Sequence, residues 1–457
     1  MKKLGLRYTY RFLSSIIITI LATVSFEITW YLFVSENNQT GHLLGVANLI
    51  MAGGTYAVIF FIFCRFMGAH KIGVERKSKI SASIAMAVFA TDFVEIFVSM
   101  AITGQFRFGF QFAWRYFLLA LVQSLAFALL LIVFTSLYRI VVPPIKLLEI
   151  VGNNEHNLTE KMNGIRYKYS VERVVFCDTS YEEIEKCIEK SEAVLINDIP
   201  ASMKNRLIKT CFSLNKRVYV VPKISDILIK ASDDLNLVDT PLFLCRNIGM
   251  RSWQKIIKRI LDLTISILAL VVLSPIFLVT SIAIKLEDGG PVFFRQERVT
   301  IGDKHFMILK FRSMITDAEK DGRPHPATEK DDRITKVGRV IRACRIDELP
   351  QLINIIKGDM SIVGPRPERW EHVEKYCAEI PEFSFRHKVK GGLTGYAQVY
   401  GKYNTNALDK LKLDLHYIAN YSLLMDVQII FETIKILFLK ESTEGFSNGN
   451  IKETKEQ

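Results

Sequence analysis

The seven cysteines of this 457-residue chain (Cys64, Cys177, Cys187, Cys211, Cys245, Cys344 and Cys377) form no CxxC pair and are odd in number. That argues against a disulfide framework and against sulfur ligation of a metal, and it suits a reduced cytosol. Zinc-finger and RNP-type motifs are missing. The basic residues are mixed with acids and form no stripe, so nucleic acid is not expected as a partner. Histidine is scarce, eight in all. His387 and His416 fall late in the chain, where packing or surface roles are expected of them. A glycine-rich turn after a strand, which a dinucleotide site would need, is also missing.

What the chain does have is apolar sequence in blocks. Hydrophobic residues make up 49%, the formal charge is +12 and the pI about 9.2. A basic balance of this kind suits a membrane surface or a phosphorylated substrate. Four apolar stretches, 12–34, 43–64, 80–102 and 112–142, are each long enough to cross a hydrocarbon core of about 30 Å. The first is too long for a removable signal peptide and lacks a small-residue cleavage site. MKKLGLRYTYR and AHKIGVERKSK are basic, whereas SENNQTGH and TGQFRFGF carry little positive charge. The positive-inside rule then puts both ends of a bundle at 1–142 in the cytoplasm. Glu27, Asp92 and Glu95 lie within the spans with no basic partner there, and they are expected to face the bundle interior. Asn38-Gln39-Thr40 matches a glycosylation sequon, a weak tripeptide signal.

Residues 146–250 alternate β-branched runs (VERVVFCD, EAVLIND, KRVYVVPK) with helical ones (YEEIEKCIEK, MKNRLIKTCFSL), which predicts a small parallel, Rossmann-like α/β domain. Its first-strand region, LLEIVGNNEHN, offers only Gly152 for a phosphate turn, so a structural or regulatory role is expected. A fifth apolar segment, within 255–290, has Ser274-Pro275 near its middle and basic residues on both flanks. Proline removes a backbone donor and crowds the carbonyl four residues earlier. A helix–break–helix that enters the bilayer and returns is expected, with the Ser274 hydroxyl satisfying part of the exposed backbone.

Chemistry-bearing residues gather at 291–440. PVFFRQERVTIGDKHFMILKFRSM predicts two strands joined at Gly302-Asp303-Lys304. Ile334, Val337, Ile341, Leu349, Leu352, Ile353 and Ile356 keep helical spacing, and Asp347-Glu348 stands where a helical segment begins. An isolated acid pair there would serve the helix dipole alone. Here Lys310, Arg312, Arg339, Arg342, Arg345 and Arg366 are close in sequence. Guanidinium forks grip phosphate oxygens. Mg²⁺ takes one or two carboxylates plus substrate phosphates, and a carboxylate can attack phosphorus. The predicted site is therefore one for a phosphorylated substrate, with Asp347 and Glu348 able to hold Mg²⁺. The segment LKLDLHYIANYSLLMDVQIIFETIKILFLK has apolar residues at helical spacing and is expected on the catalytic core or the membrane. Residues 441–457 form a polar tail.

KRILD (258–262), SP (274–275), KFRSM (310–314), GRVIRACRIDELPQLINIIKGDMSIVGPRP (338–367), GGLTGYAQV (391–399) and DLHYIANYSL (414–423) occur in this order. Together they resemble the bacterial sugar transferase family of monotopic phosphoglycosyl transferases. The most similar group is the large polyisoprenyl-phosphate hexose-1-phosphate transferases that start capsule, exopolysaccharide and O-antigen synthesis. Those carry four helices and a degenerate nucleotide-binding-like module ahead of the catalytic part, so the likeness extends loosely over the whole chain. Departures are mild: Tyr396, Tyr400 and Lys402 in GYAQVYGKYN, and Cys344-Arg345 before the acid pair.

The resemblance implies a membrane helical bundle of four spans, a cytosolic α/β domain, and an α+β catalytic domain with a re-entrant membrane helix. It implies Asp347 as nucleophile towards a UDP-sugar, UMP as leaving group, and undecaprenyl phosphate as acceptor. Glu348 would assist through Mg²⁺ or proton handling. Pro365-Arg366-Pro367 would contact the nucleotide, Lys310 and Arg312 would neutralise phosphate, and Asp414 would support. Since UDP-sugars are cytosolic, the catalytic domain must face the cytoplasm of the bacterial inner membrane. Lys258 and Arg259 would then hold membrane lipid or substrate head groups, and Asp262 would pair with a basic catalytic residue. A homodimer could be supported by the middle domain and bundle. Two other readings stay open: a lipid glycosyltransferase, which would release UDP, and a non-catalytic nucleotide-sugar sensor, which would tolerate Asp347→Asn.

Overall fold

The structure, a computed structural model, describes residues 2–38, 44–152, 158–245, 249–316, 331–402 and 405–438. Residues 39–40 of the sequon, 153–157 of the expected first-strand region, and the tail 441–457 lie outside these. The chain divides into two compact units, Met1–Val221 and Pro222–Gln457.

The first unit opens with four long helices, α1 (Lys2–Asn37), α2 (Val46–Met67), α3 (Lys77–Thr103) and α4 (Gly109–Val141). They cover the four apolar stretches, and each is long and apolar enough to cross a membrane. Gly68 and Gly104, at φ 83° and 66°, end α2 and α3 in the left-handed conformation that a side chain would resist. Helices in lipid are held by close packing and interhelical hydrogen bonds. Accordingly Phe26 stacks on Tyr56 at 4.2 Å between centroids. Gln123 accepts from the Tyr56 hydroxyl (2.9 Å) and donates to Ser25 Oγ (2.8 Å). Asp92 and Glu95 are 2% and 0% exposed and face the bundle interior, as expected. Glu27 lies against Gly53, where any side chain would displace it.

The same unit continues with β1 (Ile145–Val151), α5 (Leu158–Asn163), β2 (Tyr169–Phe176), α6 (Tyr181–Lys190), β3 (Ala193–Asn197), α7 (Ala201–Ser213) and β4 (Arg217–Val220). The strands form one parallel sheet in the order β2-β1-β3-β4. β3 reads AVLIN and is buried throughout, as a strand covered on both faces requires. Ile184 and Ile188 of α6 and Leu207 of α7 complete its core. The expected boundary at residue 250 is corrected. α8 (Ile224–Lys230) belongs to the second unit, because Ile227 packs in that unit's core with Leu411 and Ile418.

The second unit contains α8, a hairpin of β5 (Asp233–Leu237) and β6 (Thr240–Leu244), and the long helix α9 (Ser252–Asp288). The antiparallel hairpin β7 (Phe293–Val299) and β8 (His305–Phe311) follows, turning at Gly302 and Asp303, both at positive φ. Then come α10 (Lys336–Ala343), α11 (Gln351–Lys357), β9 (Ser361–Val363), α12 (Trp370–Glu379), β10 (Gly392–Thr394), α13 (Tyr396–Tyr400), α14 (Ala407–Ala419) and α15 (Leu423–Phe438). β9 and β10 pair in parallel. Leu411, Leu415 and Ile418 of α14 and Ile429 of α15 are buried in the unit's core, so the last apolar helices pack on the catalytic part.

α9 corrects two expectations. No non-helical residue interrupts it at Pro275. The carbonyl that Pro275 leaves unbonded is that of Val271, and the Ser274 hydroxyl donates to it at 2.8 Å, the compensation expected of Ser274. Lys258 and Arg259, expected on head groups, are committed internally. Lys258 makes a buried ion pair with Asp426 at 2.6 Å, whose carboxylate also accepts from the hydroxyls of Tyr417 (2.7 Å) and Tyr421 (3.3 Å). Arg259 donates to the carbonyls of Ile355 and Ile356 (2.6 and 2.8 Å), the last turn of α11. Among the described residues Asp262 forms no ion pair, although its charge acts on Lys390. It accepts from Ser361 Oγ and Ile362 N–H on β9 (2.8 and 3.1 Å). The far end of α9 is held too: Glu287 accepts from the Lys336 and Val337 N–H groups that open α10 (2.6 and 3.2 Å).

Removing one partner of a buried ion pair strands the other charge. Lys258→Met is therefore expected to destabilise the second unit by about 3–5 kcal/mol, whereas Lys258→Met with Asp426→Leu recovers a large part of the loss. Urea unfolding of the detergent-solubilised protein measures both.

Candidate active site

The acids are positioned by a chain reversal. Thr335 caps α10 by accepting from Gly338 N–H (2.9 Å). A side chain at Gly338 would strike the Ser313 carbonyl, so glycine lets α10 lie against the segment leaving β8. After α10, Arg345 takes φ 58° and turns the chain into a short 3₁₀ turn, Ile346–Glu348. Pro350, at φ −61°, directly precedes α11. Asp347 and Glu348 thus occupy the corner between two helices, with β8 beside them.

Two cations converge on one oxygen of Glu348. Lys310 Nζ lies 3.3 Å and Arg366 Nη2 3.0 Å from Oε1. Burial pushes the Glu348 carboxyl up, but Arg366, Lys310 and Arg345 outweigh it and hold it at about 2. Asp347 goes the other way. Burial and the adjacent Glu348 charge raise it, and Lys310, Arg342 and Arg345 only partly pull it back. Among the described residues none hydrogen-bonds the Asp347 carboxylate. Neighbouring carboxyls pushed apart in this way can take different roles. Glu348 is neutralised by two cations, and Asp347 is an unengaged, more basic carboxylate.

A small cleft beside the pair is lined by Arg298, Lys310, Gln351, Arg366 and Pro367. Arg298 donates to the Pro367 carbonyl (3.2 Å) and to Gln296 Oε1 (2.6 Å). Its Nε is buried with no partner among the described residues, and burial lowers the guanidinium to about 10. The site therefore holds more positive than negative charge, a setting for a polyanion.

Arg386 braces the site from behind. It is 1% exposed, donates to the Arg366 carbonyl at 3.0 Å and pairs with Asp414 at 2.8 Å. Glu368 lies 3.7 Å from Arg386 and 3.2 Å from Lys410. Burial raises the Glu368 carboxyl, but Arg386, Lys410 and Arg366 prevail and bring it to about 2.

The structure brings Asp347, Glu348, Lys310, Arg342 and Arg366 together and separates others. Arg312, expected on phosphate, forms a fork on Asp288 and donates to the Pro291 carbonyl (2.7 Å), clasping the end of α9. Asp414 is buried behind the cleft on Arg386. Arg339 lies on the exposed face of α10. Pro365 and Pro367 are buried, and their carbonyls accept from Gly392 N–H (2.9 Å) and Arg298, so they shape the corner that aims Arg366. Arg298 and Arg386 escaped the sequence reading. For Arg298 a signal exists. The register pairs Phe294 with Lys310 and Arg298 with Phe306, so period-two alternation sets Arg298 and Lys310 on one hairpin face. Arg386 sits far along the chain, with no local pattern to mark it.

Among the described residues no group of three or more metal-ligating side chains occurs. The donor set fits Mg²⁺ in its usual phosphate-dependent form: the unengaged Asp347 carboxylate, the second Glu348 oxygen, and remaining positions for water and substrate.

A carboxyl held below its ordinary value of 4.5 stabilises the fold above that pH, and the contribution fades as pH falls towards about 2. Stability should therefore fall more steeply between about pH 4.5 and 2 in the wild type than in Glu348→Gln. Denaturant unfolding across that range measures the two slopes.

The bacterial sugar transferase family model matches residues 253–440, which contain α9 and every residue of this site. The chain is 46% identical over 184 residues to UDP-N-acetylgalactosamine-undecaprenyl-phosphate N-acetylgalactosaminephosphotransferase of Aeromonas hydrophila, covering 40% of this chain and 43% of that protein. It is 41% identical over 191 residues to UDP-glucose:undecaprenyl-phosphate glucose-1-phosphate transferase of Caulobacter vibrioides, covering 40% of this chain and 71% of that one. Against the Escherichia coli protein of the same name identity is 34% over 271 residues, 55% of this chain and 56% of that one. The match thus spans about half the length of two of these relatives and most of the Caulobacter protein. The chain belongs to the bacterial sugar transferase family.

Proposed function

We propose that this protein transfers a hexose-1-phosphate from a UDP-sugar to undecaprenyl phosphate and releases UMP, the first membrane step of a bacterial exopolysaccharide, capsule or O-antigen. The observation that carries the reading is the unengaged Asp347 carboxylate beside a Glu348 already neutralised by Lys310 and Arg366. The names of the relatives, which transfer N-acetylgalactosamine- or glucose-phosphate to this lipid, support it.

An Asp347 oxygen attacks the sugar-linked phosphorus of the donor. The bond from that phosphorus to the bridging oxygen breaks, and UMP leaves with the electron pair. A phosphate oxygen of the lipid then attacks the same phosphorus, the bond to Asp347 breaks, and the carboxylate is regenerated with the lipid diphosphate-sugar. Arg298, Lys310 and Arg366 bind and orient the donor phosphates, offsetting charge that gathers on the departing group. A bound Mg²⁺, held by Asp347 and Glu348, would add charge neutralisation at the phosphates. Glu348 keeps the two cations in register.

The contacts of α9 support a membrane topology. Its 37 residues would extend about 55 Å if straight. Lys258, Arg259 and Asp262 near one end, and Glu287 and Asp288 at the other, all bind the second unit. A helix that crossed the bilayer would carry its ends to opposite sides, out of reach of one domain. This supports a re-entrant helix, with the catalytic unit on the cytoplasmic face of the inner membrane where UDP-sugars are found. In this arrangement α1 to α4 span the membrane and the parallel-sheet domain serves a structural or regulatory role.

Purified protein given UDP-sugars and undecaprenyl phosphate is expected to release UMP. Asp347→Asn should reduce that release by a factor on the order of 10³ or more. Release of UDP instead would mean transfer of sugar alone, and unaltered turnover in the variant would remove Asp347 from the chemistry. With donor alone, mass spectrometry should find a phosphosugar on Asp347. An unmodified Asp347 under conditions that form product would exclude the covalent route.

A further inference from the structure

The Lys310–Glu348 contact joins a strand to the turn before a helix, and these elements need a common reference. Asn354 supplies one. It lies on α11, one and a half turns beyond Glu348, and is 4% exposed. Its side-chain oxygen accepts from Leu309 N–H (2.9 Å), and its amide nitrogen donates to the Met307 carbonyl (2.8 Å). β7 pairs with only one edge of β8. On the other edge the Asn354 amide bonds like a single residue of a missing strand, using the backbone groups just before Lys310.

The orientation of that amide is not arbitrary. A backbone N–H only donates and a carbonyl only accepts, so Leu309 and Met307 each select one end of the amide. The nitrogen also donates to Asp359 Oδ2 at 3.2 Å, and Asp359 N–H in turn donates to the Asn354 carbonyl at 3.0 Å. The turn after α11 therefore grips Asn354 at both backbone and side chain.

We infer that Asn354 is a positioning residue, which locks β8 to α11 and so sets where the Lys310 ammonium stands relative to Glu348 and Asp347. The inference rests on the proposed reaction for its catalytic meaning and on geometry alone for its structural content. A misplacement of about 1 Å at a reacting centre can cost on the order of 10²-fold in rate. An aliphatic residue at 354 would also leave Leu309 N–H and the Met307 carbonyl without the partners described above.

The test is a double-mutant cycle on UMP release with Lys310→Met, Asn354→Leu and the pair. Asn354→Leu is expected to slow turnover by about 10- to 100-fold. The pair should be no slower than Lys310→Met alone, because Asn354 acts through Lys310. Losses that multiply would overturn the inference. A second readout needs no turnover: acylation of Lys310, followed by peptide mass spectrometry, should quicken severalfold in Asn354→Leu. An unchanged rate overturns the inference. Should the wild type release no UMP, the reaction assignment fails while this labelling result still decides the positioning role. Asn354→Asp keeps the acceptor for Leu309 but sets a carboxylate against Asp359. It replaces the leucine variant in every arm if that variant does not fold, and adding Asp359→Asn should restore part of its loss.

Discussion

Two cations on one oxygen of Glu348 are the interaction on which the rest of the catalytic unit depends. They come from separate parts of the chain, Lys310 from a hairpin strand and Arg366 from the corner after β9. Bringing them to the acid pair takes a hairpin, a reversed turn and a short parallel pairing, each in a set register. The outcome divides the labour between two adjacent carboxyls. Glu348 is held low by charge, and Asp347 is raised by burial and by its neighbour. A pair left to solvent would titrate as two ordinary acids, with nothing to distinguish one from the other.

Around that interaction the unit is braced by polar side chains that bond its own backbone. Arg386 holds the backbone of Arg366, Asn354 holds the backbone beside Lys310, and Arg298 takes the Pro367 carbonyl. α9 follows the same rule. Its basic and acidic residues bind helix ends, a strand edge and a buried aspartate of the same unit, while its apolar side chains, such as Val271, Val272 and Leu278, stay exposed for lipid in the proposed membrane arrangement. Charges placed next to a bilayer in this way fix the depth and orientation of a helix without facing lipid themselves.

Several sequence expectations failed for a shared reason. Lys258, Arg259 and Arg312 were read as cations awaiting an external anion, and each has an internal partner. Asp426, Asp288 and the carbonyls of α11 lie from 24 to 168 residues away in sequence. Composition counts charges but does not pair them, so an excess of arginine looks like a binding surface until distant acids are set beside it. Asp414 shows the converse: an acid inside a recognisable motif, buried against Arg386 away from the cleft. Arg298 was legible in principle, since strand alternation places it on the Lys310 face. The continuity of α9 through Pro275 was half legible, because the serine that takes the freed carbonyl is its sequence neighbour.

By itself the sequence determined the elements whose physics is local. Four apolar runs make four long helices, alternating β-branched and amphipathic segments make a parallel sheet with its helices, and the acid pair with its motifs marks the family. Those depend on side-chain period, turn residues and short-range spacing. Only the tertiary structure decided which charges are spent inside the protein and which are left for a substrate. It also decided how far Glu348 and Asp347 diverge, and that both ends of α9 bind one unit. A carboxyl's proton affinity and a cation's availability depend on burial and on charges a few ångströms away, and those neighbours are chosen by the fold.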